Sequence, residues 1–471
     1  MAKAQTQSAQ TQLSLGAALA FACAYIPFAA LQLSVAVQLP RFFASSLGVG
    51  AAAGGVFFLV RLIDIPVDPA LGLLMDRTRT RFGRYRPWLV LSAPVLMLAL
   101  YMAYQAQPGV GVPYLTLWLL ILYLGMSFLL VGGNAWASTL ASTYGGRSRI
   151  FGAQSAMGVV GAASVLAIPT VAALQHVGEA EGVRMVGWFM MGLAPLCVLI
   201  ALARTPERIT TDGGAHAFKL ADYAALLARP NVVRLLAADF FVTLGPGWMA
   251  ALYLYFFEDS RKFGVAQANI LLAIYILAGF VGAPVTAWLA NRISKHRALM
   301  VTTTGYSLML IVIFLLPKGQ FGPMAPAMFT AGAFAAGFVV AIRSITADIG
   351  DEIRLEKHRN LVGLLYALTS ATTKAASALA AGLTFTILGM VGYNFKPGAH
   401  NGADQIFGLE MAYVIGPIVF VMIAGACFIG YRLSAERHAE IRRELDARDG
   451  AFDPAASLES LAGDAEVASV R

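Results

Sequence analysis

Apolar stretches long enough to cross a bilayer recur along this chain at regular intervals, and no other feature of the sequence constrains the fold as strongly. A membrane-spanning helix needs about 20 mostly apolar residues, because lipid offers its backbone no hydrogen-bonding partners. Charged residues make up 13% of the 471 residues, against roughly a quarter in soluble domains. We therefore predict an all-α integral membrane protein. Its twelve membrane-spanning helices are predicted near residues 14–42, 48–75, 88–107, 112–143, 149–176, 184–204, 230–258, 264–291, 298–317, 324–347, 362–393 and 405–433.

The stretch from Pro206 to Pro230 is the one sizeable interruption of these apolar segments, and it separates six predicted helices from six others. A short amphipathic helix is predicted near the end of the chain, from Glu436 to Arg448. The resulting organisation is an N-terminal tail at 1–13, an N-terminal half at 14–204, a central loop at 205–229, a C-terminal half at 230–433 and a C-terminal tail at 434–471.

The two halves share a weak internal repeat. Six residues separate Pro69 from Asp76-Arg77 in the second predicted helix, and six separate Pro284 from Asn291-Arg292 in the eighth. Second and eighth are equivalent places in a six-plus-six arrangement. Two related six-helix halves with a solute site between them are typical of transporters with the major facilitator fold.

Lysine and arginine concentrate on the side of the membrane that holds both tails and the central loop. The positive-inside rule therefore predicts that both termini are cytoplasmic, in the plasma (inner) membrane. The net charge of +8 then reflects topology and attraction to lipid headgroups, and we expect no nucleic-acid partner. The opposite side carries only Arg41, Arg184, Arg261, Lys262, Lys318 and Lys396.

Three ionisable residues lie within the second predicted helix. Arg61, Asp64 and Asp68 are spaced i, i+3 and i+7, which places them on one helix face. A charge within a span costs about 2.5 to 3.5 kcal/mol on insertion scales, so such residues usually face a cavity. Two carboxylates beside an arginine can exchange a proton or coordinate a small cation. We interpret the two aspartates as the cation-coupling site, with a structural ion pair as the alternative.

Three further charges fall in predicted helices. Lys374 needs a counter-ion, for which either aspartate of this trio is the candidate, unless the lysine extends to the interface. Arg343 lies about one turn inside the tenth predicted helix, where a solute contact and a gate or structural pair are equally compatible with the sequence. For Asp239 in the seventh, we favour an ion pair with Arg234 over a place along the solute path.

An arginine cluster follows the second predicted helix, in the segment DRTRTRFGRYRPW. Topology and headgroup contact explain part of it, but its density also suggests a gate. Carboxylates and arginines that pair across the halves would close the cytoplasmic side while the other side is open. The candidate gate residues are Asp76, Arg77, Arg149, Arg292, Asp348, Asp351 and Arg359, with Glu352 as a further carboxylate.

Neither the histidines nor the cysteines form a reactive or metal-binding pattern. Histidines fall in loops, span ends or tails without metal-ligand spacing, and no H-E-x-x-H or G-x-S-x-G occurs in the sequence. The chain is therefore not expected to be an enzyme or to carry a metal or other cofactor. Cys23, Cys197 and Cys427 are interpreted as small buried apolar side chains.

Two segments resemble signatures of one family. The segment RLIDIPVDPALGLLMDRTRTRFGRYRPW, and ADIGDEIRLEKHR followed by Lys374, are similar to those of the glycoside-pentoside-hexuronide:cation symporters, the melibiose-permease-like branch of the major facilitator superfamily. The likeness extends over about residues 14–433. It implies that Asp64 and Asp68 bind the coupling cation, that Lys374 neighbours them, and that Trp136 helps to pack or bind a sugar.

Three family positions are altered in this chain. Melibiose-permease-like members carry acidic residues where Cys23 and Gly132 align, and an arginine where Gln154 aligns. Loss of the two carboxylates removes groups that would hold sugar hydroxyls and help to complete a sodium site. The resemblance therefore does not extend to the usual galactoside specificity.

The basic side chains of the predicted helices suggest the charge of the solute. Arg61, Lys374 and Arg343 face two aspartates, so the cavity is expected to be net positive once one aspartate is protonated. We expect symport of a sugar-derived anion such as a hexuronate or sulfonated sugar, coupled to protons more readily than to sodium, by a monomer. A sodium-coupled lysolipid or amphiphile carrier and a non-transporting solute sensor are the alternatives. The predicted substrate-binding residues are Arg61, Asn134, Trp136, Gln154, Arg343 and Lys374.

Overall fold

The regular secondary structure of the described residues is helical, apart from one isolated β-bridge between Thr80 and Gly83. The computed structural model describes residues 15–78, 80, 82–140, 144–205, 220–357, 362–396, 399–431 and 435–450. The N-terminal half contains α1 Leu15–Ala22, α2 Tyr25–Arg41, a π-helix Phe42–Ser46, α3 Ala52–Arg77, α4 Arg86–Tyr104, α5 Val112–Leu140, α6 Tyr144–Leu174 and α7 Glu179–Arg204.

The C-terminal half repeats this arrangement after a short helix, α8. Two tail-side features lie outside the repeat: α8 itself and a final helix, α16. The elements are α8 Leu220–Leu227, α9 Pro230–Tyr255, a π-helix Phe256–Ser260, α10 Val265–Leu277, α11 Gly279–Ile293, α12 Lys295–Leu315, α13 Phe321–Lys357, α14 Val362–Met390, α15 Ala403–Ala426 and α16 Ala435–Gly450.

These helices confirm the twelve predicted spans. Eleven helices of the described residues are long and apolar enough to cross a membrane. The twelfth span is α3, which has 26 residues but carries Arg61, Asp64 and Asp68 in its centre. A count based on apolarity alone misses α3 because of these three charged residues, whose side chains face the interior of the bundle and not the lipid.

The largest difference from the predicted boundaries is at α13, which continues to Lys357 although its apolar stretch ends near residue 347. Its last residues, DIGDEIRLEK, are polar but include Ile349 and Ile353, which are buried. A helix can therefore continue beyond the lipid by packing one apolar face, and hydropathy does not detect this. The predicted tail helix is observed as α16.

The first and seventh spans end in the same way. Each continues from an α-helix into one turn of π-helix, at Phe42–Ser46 and at Phe256–Ser260. Both turns start with a Phe-Phe pair whose rings are buried. This second repeat strengthens the pseudo-symmetry of the halves and places two π-helical turns at the same side of the membrane.

The two ends of the bundle are named here after one arginine each. The Arg41 side is the end where α2 and α9 end; the Arg77 side is the end where α3 and α13 end. The two halves pack closely against each other where α3 crosses α14. A Cβ added to Gly54 would lie 2.4 Å from the Phe385 Cβ, and one added to Gly382 would lie 2.8 Å from the Phe58 Cβ. Glycine at both positions therefore permits the halves to touch.

This crossing gives a test with adjacent matched residues. Gly54→Val should lower the thermal unfolding midpoint of the detergent-purified protein, because overpacking typically costs about 1 to 3 kcal/mol. Gly55→Val is the control, since a Cβ there meets nothing within 4 Å. Equal midpoints for the two variants would show that this crossing does not support the fold.

Candidate solute and coupling site

The centre of the molecule is an ion-pair cluster that joins the two halves. Lys374 of α14 places its Nζ 2.7 Å from Asp64 Oδ2 of α3 and also pairs with Asp68 Oδ2. Asp64 and Lys374 both lie near the middle of their helices. The predicted counter-ion of Lys374 is thus confirmed, and the structure shows that both aspartates share the lysine.

The cluster is shielded from water. Asp64 is 4% exposed, and its Oδ1 accepts a hydrogen bond of 3.1 Å from the Ser127 hydroxyl. The Asp68 and Lys374 side chains are 16% and 13% exposed. In such a setting, removing one partner of an ion pair leaves a buried charge without compensation, which is strongly unfavourable.

Arg61 does not pair with its neighbouring aspartates in this conformation. Its guanidinium lies over the buried ring of Tyr123, 4.6 Å from the ring centroid, where a cation–π contact holds it. The sequence places Arg61 on the same helix face as the two aspartates, but within the described residues Lys374 neutralises them. Arg61 still lines the central cavity.

A cavity of about 450 Å³ adjoins the cluster. Asp64 and Lys374 form its inner end, while Asn134, Arg343 and Tyr366 lie closer to the Arg77 side, so the cavity extends towards that side. Most of the remaining polar lining is neutral. It comprises Gln32, Ser127, Thr346, Thr369, Ser370, Thr373 and Ser377, beside Phe28, Met126, Leu130 and Ile342.

Asp239 also lines this cavity, and the favoured ion pair with Arg234 is wrong. Its Oδ2 accepts hydrogen bonds from Thr372, at 2.6 Å, and Thr373, at 2.9 Å. Arg234 instead lines a separate cavity at the Arg77 side with Glu352. Asp239 adds a third carboxylate to the central site, so the excess of positive charge expected there disappears when all groups are ionised.

The structure does not bring Trp136 and Gln154 into the central cavity. Trp136 is fully buried, with its ring 5.2 Å from that of Phe21. Gln154 borders a small space beside Asn134 and Phe28, which also line the cavity. Their predicted substrate contacts therefore stay predictions for another conformation.

The cysteines only partly match the sequence interpretation. All three are free. Cys197 is buried as expected, whereas Cys23 and Cys427 are half-buried. The reason is local: Cys23 lies in the break between α1 and α2, and Cys427 follows the end of α15.

On the Arg41 side, a set of contacts that we call the Arg41 lock joins the two halves. It consists of Arg41, Ser45, Glu179, Tyr255 and Glu258. Arg41 pairs with Glu179 of its own half, at 2.9 Å, and with Glu258 of the other half. The hydroxyls of Ser45 and Tyr255 lie 2.9 Å apart across the same junction. The cavity is therefore closed on this side.

Aromatic rings complete this closure. Tyr255 contacts Phe395 at 5.8 Å and Phe385 at 6.3 Å between ring centroids. Phe385 and Phe395 stack at 5.5 Å. Tyr255 also lies 5.0 Å from the Arg41 guanidinium, so the rings pack directly beside the charged contacts.

At the Arg77 side, two of the predicted gate carboxylates have partners in the C-terminal half and its tail. Asp348 pairs with Lys295 and lies 3.2 Å from His438, which is also 3.2 Å from Asp351. Arg292 lies 4.9 Å from the ring centroid of Trp288. These partners are not the predicted gate partners.

The cross-half gate itself stays a prediction for a conformation closed on the Arg77 side. Arg77 is exposed at the end of α3. The side chains of Asp76 and Arg149, and residue Arg359, lie outside the described part of the chain.

The sequence argument missed the polar stripe of α14. Tyr366, Thr369, Ser370, Thr373 and Ser377 all line the cavity. Their spacing of three to four residues places them on one helix face, the face that also carries Lys374. This periodicity is present in the sequence and is sufficient to predict that α14 lines the cavity.

The Arg41 lock generates a direct test. Glu258→Gln removes the cross-half partner of Arg41, and breaking such a buried pair typically costs about 3 to 5 kcal/mol. We expect a cysteine introduced at Ser45, in a background without the three native cysteines, to react with a polar thiol reagent about tenfold faster or more. Arg184→Gln is the control, because Arg184 pairs with Glu181 within a single helix. Unchanged reactivity in Glu258→Gln would contradict the lock.

Comparison with known proteins places these features in a family. The sequence model described as MFS/sugar transport protein matches residues 20–435. The isoprimeverose transporter of Lactiplantibacillus pentosus is 25% identical over 420 residues, which cover 85% of each chain. The sodium-dependent lysophosphatidylcholine symporter 1-B of Danio rerio is 23% identical over 430 residues, covering 83% of this chain and 82% of that protein.

The fold also matches a solved transporter. The crystal structure of the nucleoside transporter NupG superposes with a TM-score of 0.65 at 13% identity, over 89% of this chain and 100% of that one. At this identity the match supports the fold alone. Together with twelve spans in two related halves around a central polar cavity, the family match shows that this chain is a membrane transporter of the MFS/sugar transport protein family, with the major facilitator fold.

Proposed function

We propose that this protein is a proton-coupled symporter of a sugar or sugar-derived solute, which it carries by alternating access. One observation supports this most strongly: a lysine is shared by two buried carboxylates at the inner end of a polar cavity between the halves. Such a cluster can change its partners when a proton binds. A purely structural ion pair would not need to adjoin a solute cavity.

The coupling step is a change of partners. A proton that binds Asp64 or Asp68 neutralises that carboxylate and weakens its bond to Lys374. The lysine then retains one aspartate, and its remaining hydrogen-bonding capacity turns to the solute. Because the cluster joins α3 to α14, loosening it also loosens the contact between the halves.

The same geometry favours a proton over sodium. Sodium would have to take the position between the aspartates that the Lys374 ammonium occupies. A proton needs only one carboxylate oxygen. Family resemblance alone leaves both ions open, and the sodium-dependent relative keeps sodium as the ion to test.

The lining suggests a hydroxylated solute with an acidic group. Neutral hydroxyl and amide side chains suit sugar hydroxyls, whereas the extended chain of a lysolipid would need an apolar passage. Arg343 is exposed in the cavity and has no ion pair among the described residues, so it can bind a carboxylate or sulfonate. The solute class we propose is an acidic sugar such as a hexuronate or sulfonated sugar.

The coupling proposal predicts that two variants still fold but no longer concentrate the solute. Asp64→Asn and Asp68→Asn should abolish uphill uptake and proton movement, because neither amide can take up the proton. External pH would be recorded in lightly buffered, de-energised cells as uronates, sulfonated sugars, neutral glycosides and lysolipids are added, with and without sodium. Alkalinisation with one acidic sugar is expected from the unmodified protein.

The matched control is Asp404→Asn, an exposed carboxylate in the first turn of α15. It should behave like the unmodified protein. Concentrative uptake at the full level by the double Asp64→Asn, Asp68→Asn variant would refute the assignment. Alkalinisation that requires sodium, or that follows lysolipid addition alone, would favour the alternative carrier, and solute binding without any transport would indicate a sensor.

The role of Arg343 predicts a change that depends on solute charge. Arg343→Gln should raise the KM of an acidic sugar about tenfold or more, because a charge-assisted hydrogen bond is lost. The KM of a matched neutral sugar should change little. Equal effects on both sugars, measured by initial uptake rates, would show that Arg343 does not bind the acidic group.

A further inference from the structure

Asp239 is a buried carboxylate that lines the solute cavity without a cationic partner in the described part of the chain. It is 7% exposed. Both of its hydrogen bonds come from threonine hydroxyls and end on the same oxygen, Oδ2, at 2.6 Å from Thr372 and 2.9 Å from Thr373. The other oxygen, Oδ1, accepts no hydrogen bond from the described residues.

Glu410, another buried carboxylate of the C-terminal half, provides a comparison for Asp239. Glu410 is 8% exposed and lies on the Arg41 side, away from the cavity. Its Oε1 is 3.0 Å from Lys318 and 3.5 Å from Arg261, and it accepts a hydrogen bond of 2.6 Å from Ser260. Two cations therefore neutralise Glu410, whereas none of the described residues neutralises Asp239.

The basic groups of the cavity are placed elsewhere. Lys374 is held by two other aspartates, and Arg61 lies against Tyr123. Arg343 lines the cavity but makes no ion pair with Asp239. An ionised carboxylate without compensation is costly in a buried site. A solute that enters the cavity can supply hydrogen-bond donors that the protein does not give to Asp239.

Two hydroxyl donors on Oδ2 fix the orientation of the carboxylate. Oδ1 is then left as a strong, fixed acceptor at the cavity surface. Two neighbouring hydroxyls of a sugar ring can donate to such an oxygen, and hydrogen bonds to a charged acceptor are stronger than those between neutral groups.

We infer that Asp239 is a sugar-binding residue that recognises hydroxyl groups of the solute from the C-terminal half. Thr372 and Thr373 act as positioning residues that aim its free oxygen. This inference rests on the proposed transport of a hydroxylated solute and adds the group that recognises its hydroxyls. Asp239 and Arg343 then divide recognition: the first binds hydroxyls, the second an acidic group.

The test compares Asp239→Asn with the unmodified protein and with Glu410→Gln, the matched buried-carboxylate control. Counterflow in proteoliposomes, which needs no ion gradient, would be measured with D-glucuronate, D-glucose and D-xylose, and with 2-deoxy- and 3-deoxy-D-glucose as competitors. Asp239→Asn should raise the half-saturating concentration of acidic and neutral sugars alike, by about tenfold to 100-fold. Glu410→Gln should leave it unchanged.

The deoxy sugars separate recognition from a structural effect. At least one deoxygenation should weaken binding to the unmodified protein about tenfold or more and should cost Asp239→Asn little, because its partner is already lost. A merely structural role would not cancel the effect of one particular hydroxyl. If Asp239→Asn does not yield a folded protein, Thr372→Val provides the same readout, since it removes one donor to Asp239 without changing a cavity-lining residue.

The failures of the two proposals are distinguishable. No counterflow of any of these sugars by the unmodified protein would overturn the proposed function, and this inference with it. Counterflow by the unmodified protein with unchanged affinities and unchanged deoxy-sugar effects in Asp239→Asn would overturn this inference alone. Sodium-stimulated binding that is lost only in Asp239→Asn would assign the residue to a cation and would likewise overturn it.

Discussion

The arrangement of this transporter depends on one interaction, the sharing of Lys374 by Asp64 and Asp68 near the middle of the membrane. Each charge would be costly in lipid by itself, so each helix requires the other. The interaction therefore brings α3 and α14 together across the two halves and forms the inner end of the cavity. In the proposed coupling step a proton changes the bonds of this cluster, which would link coupling to the contact between the halves.

The same logic of paired charges operates at the membrane surfaces. On the Arg41 side, Arg41 and Glu258 join the halves beside a cluster of aromatic rings. On the Arg77 side, Lys295 and His438 hold Asp348 within one half and its tail. A transporter that alternates between two open states must break the first set of contacts and form a comparable set at the other side. In the proposed alternating access, closure on the Arg41 side is one half of an exchange of ion pairs.

The charged cavity residues that have no ion pair among the described residues underlie the proposed solute class. Neutral hydroxyl and amide side chains cover most of the polar lining, and they suit a sugar ring. Asp239 and Arg343 are the charged exceptions among the described lining residues, since Lys374, Asp64 and Arg61 have contacts elsewhere. A solute that carries both hydroxyls and an acidic group would satisfy both.

The amino-acid sequence is enough to predict four features of this protein. They are the number of spans, their division into halves, the charged face of α3 and the need of Lys374 for an acidic partner. Hydropathy and helical periodicity are local properties, so residues close in sequence are enough to predict them. Periodicity also contains the polar stripe of α14, from Tyr366 to Ser377. The partners of the charged residues, by contrast, are a property of the folded molecule. Asp239 binds Thr372 and Thr373 instead of Arg234, and Arg41 pairs with a glutamate 217 residues away. Both outcomes depend on which helices become neighbours and how far each is rotated about its axis. Those quantities are set by the packing of whole helices, and no spacing along a single helix contains them.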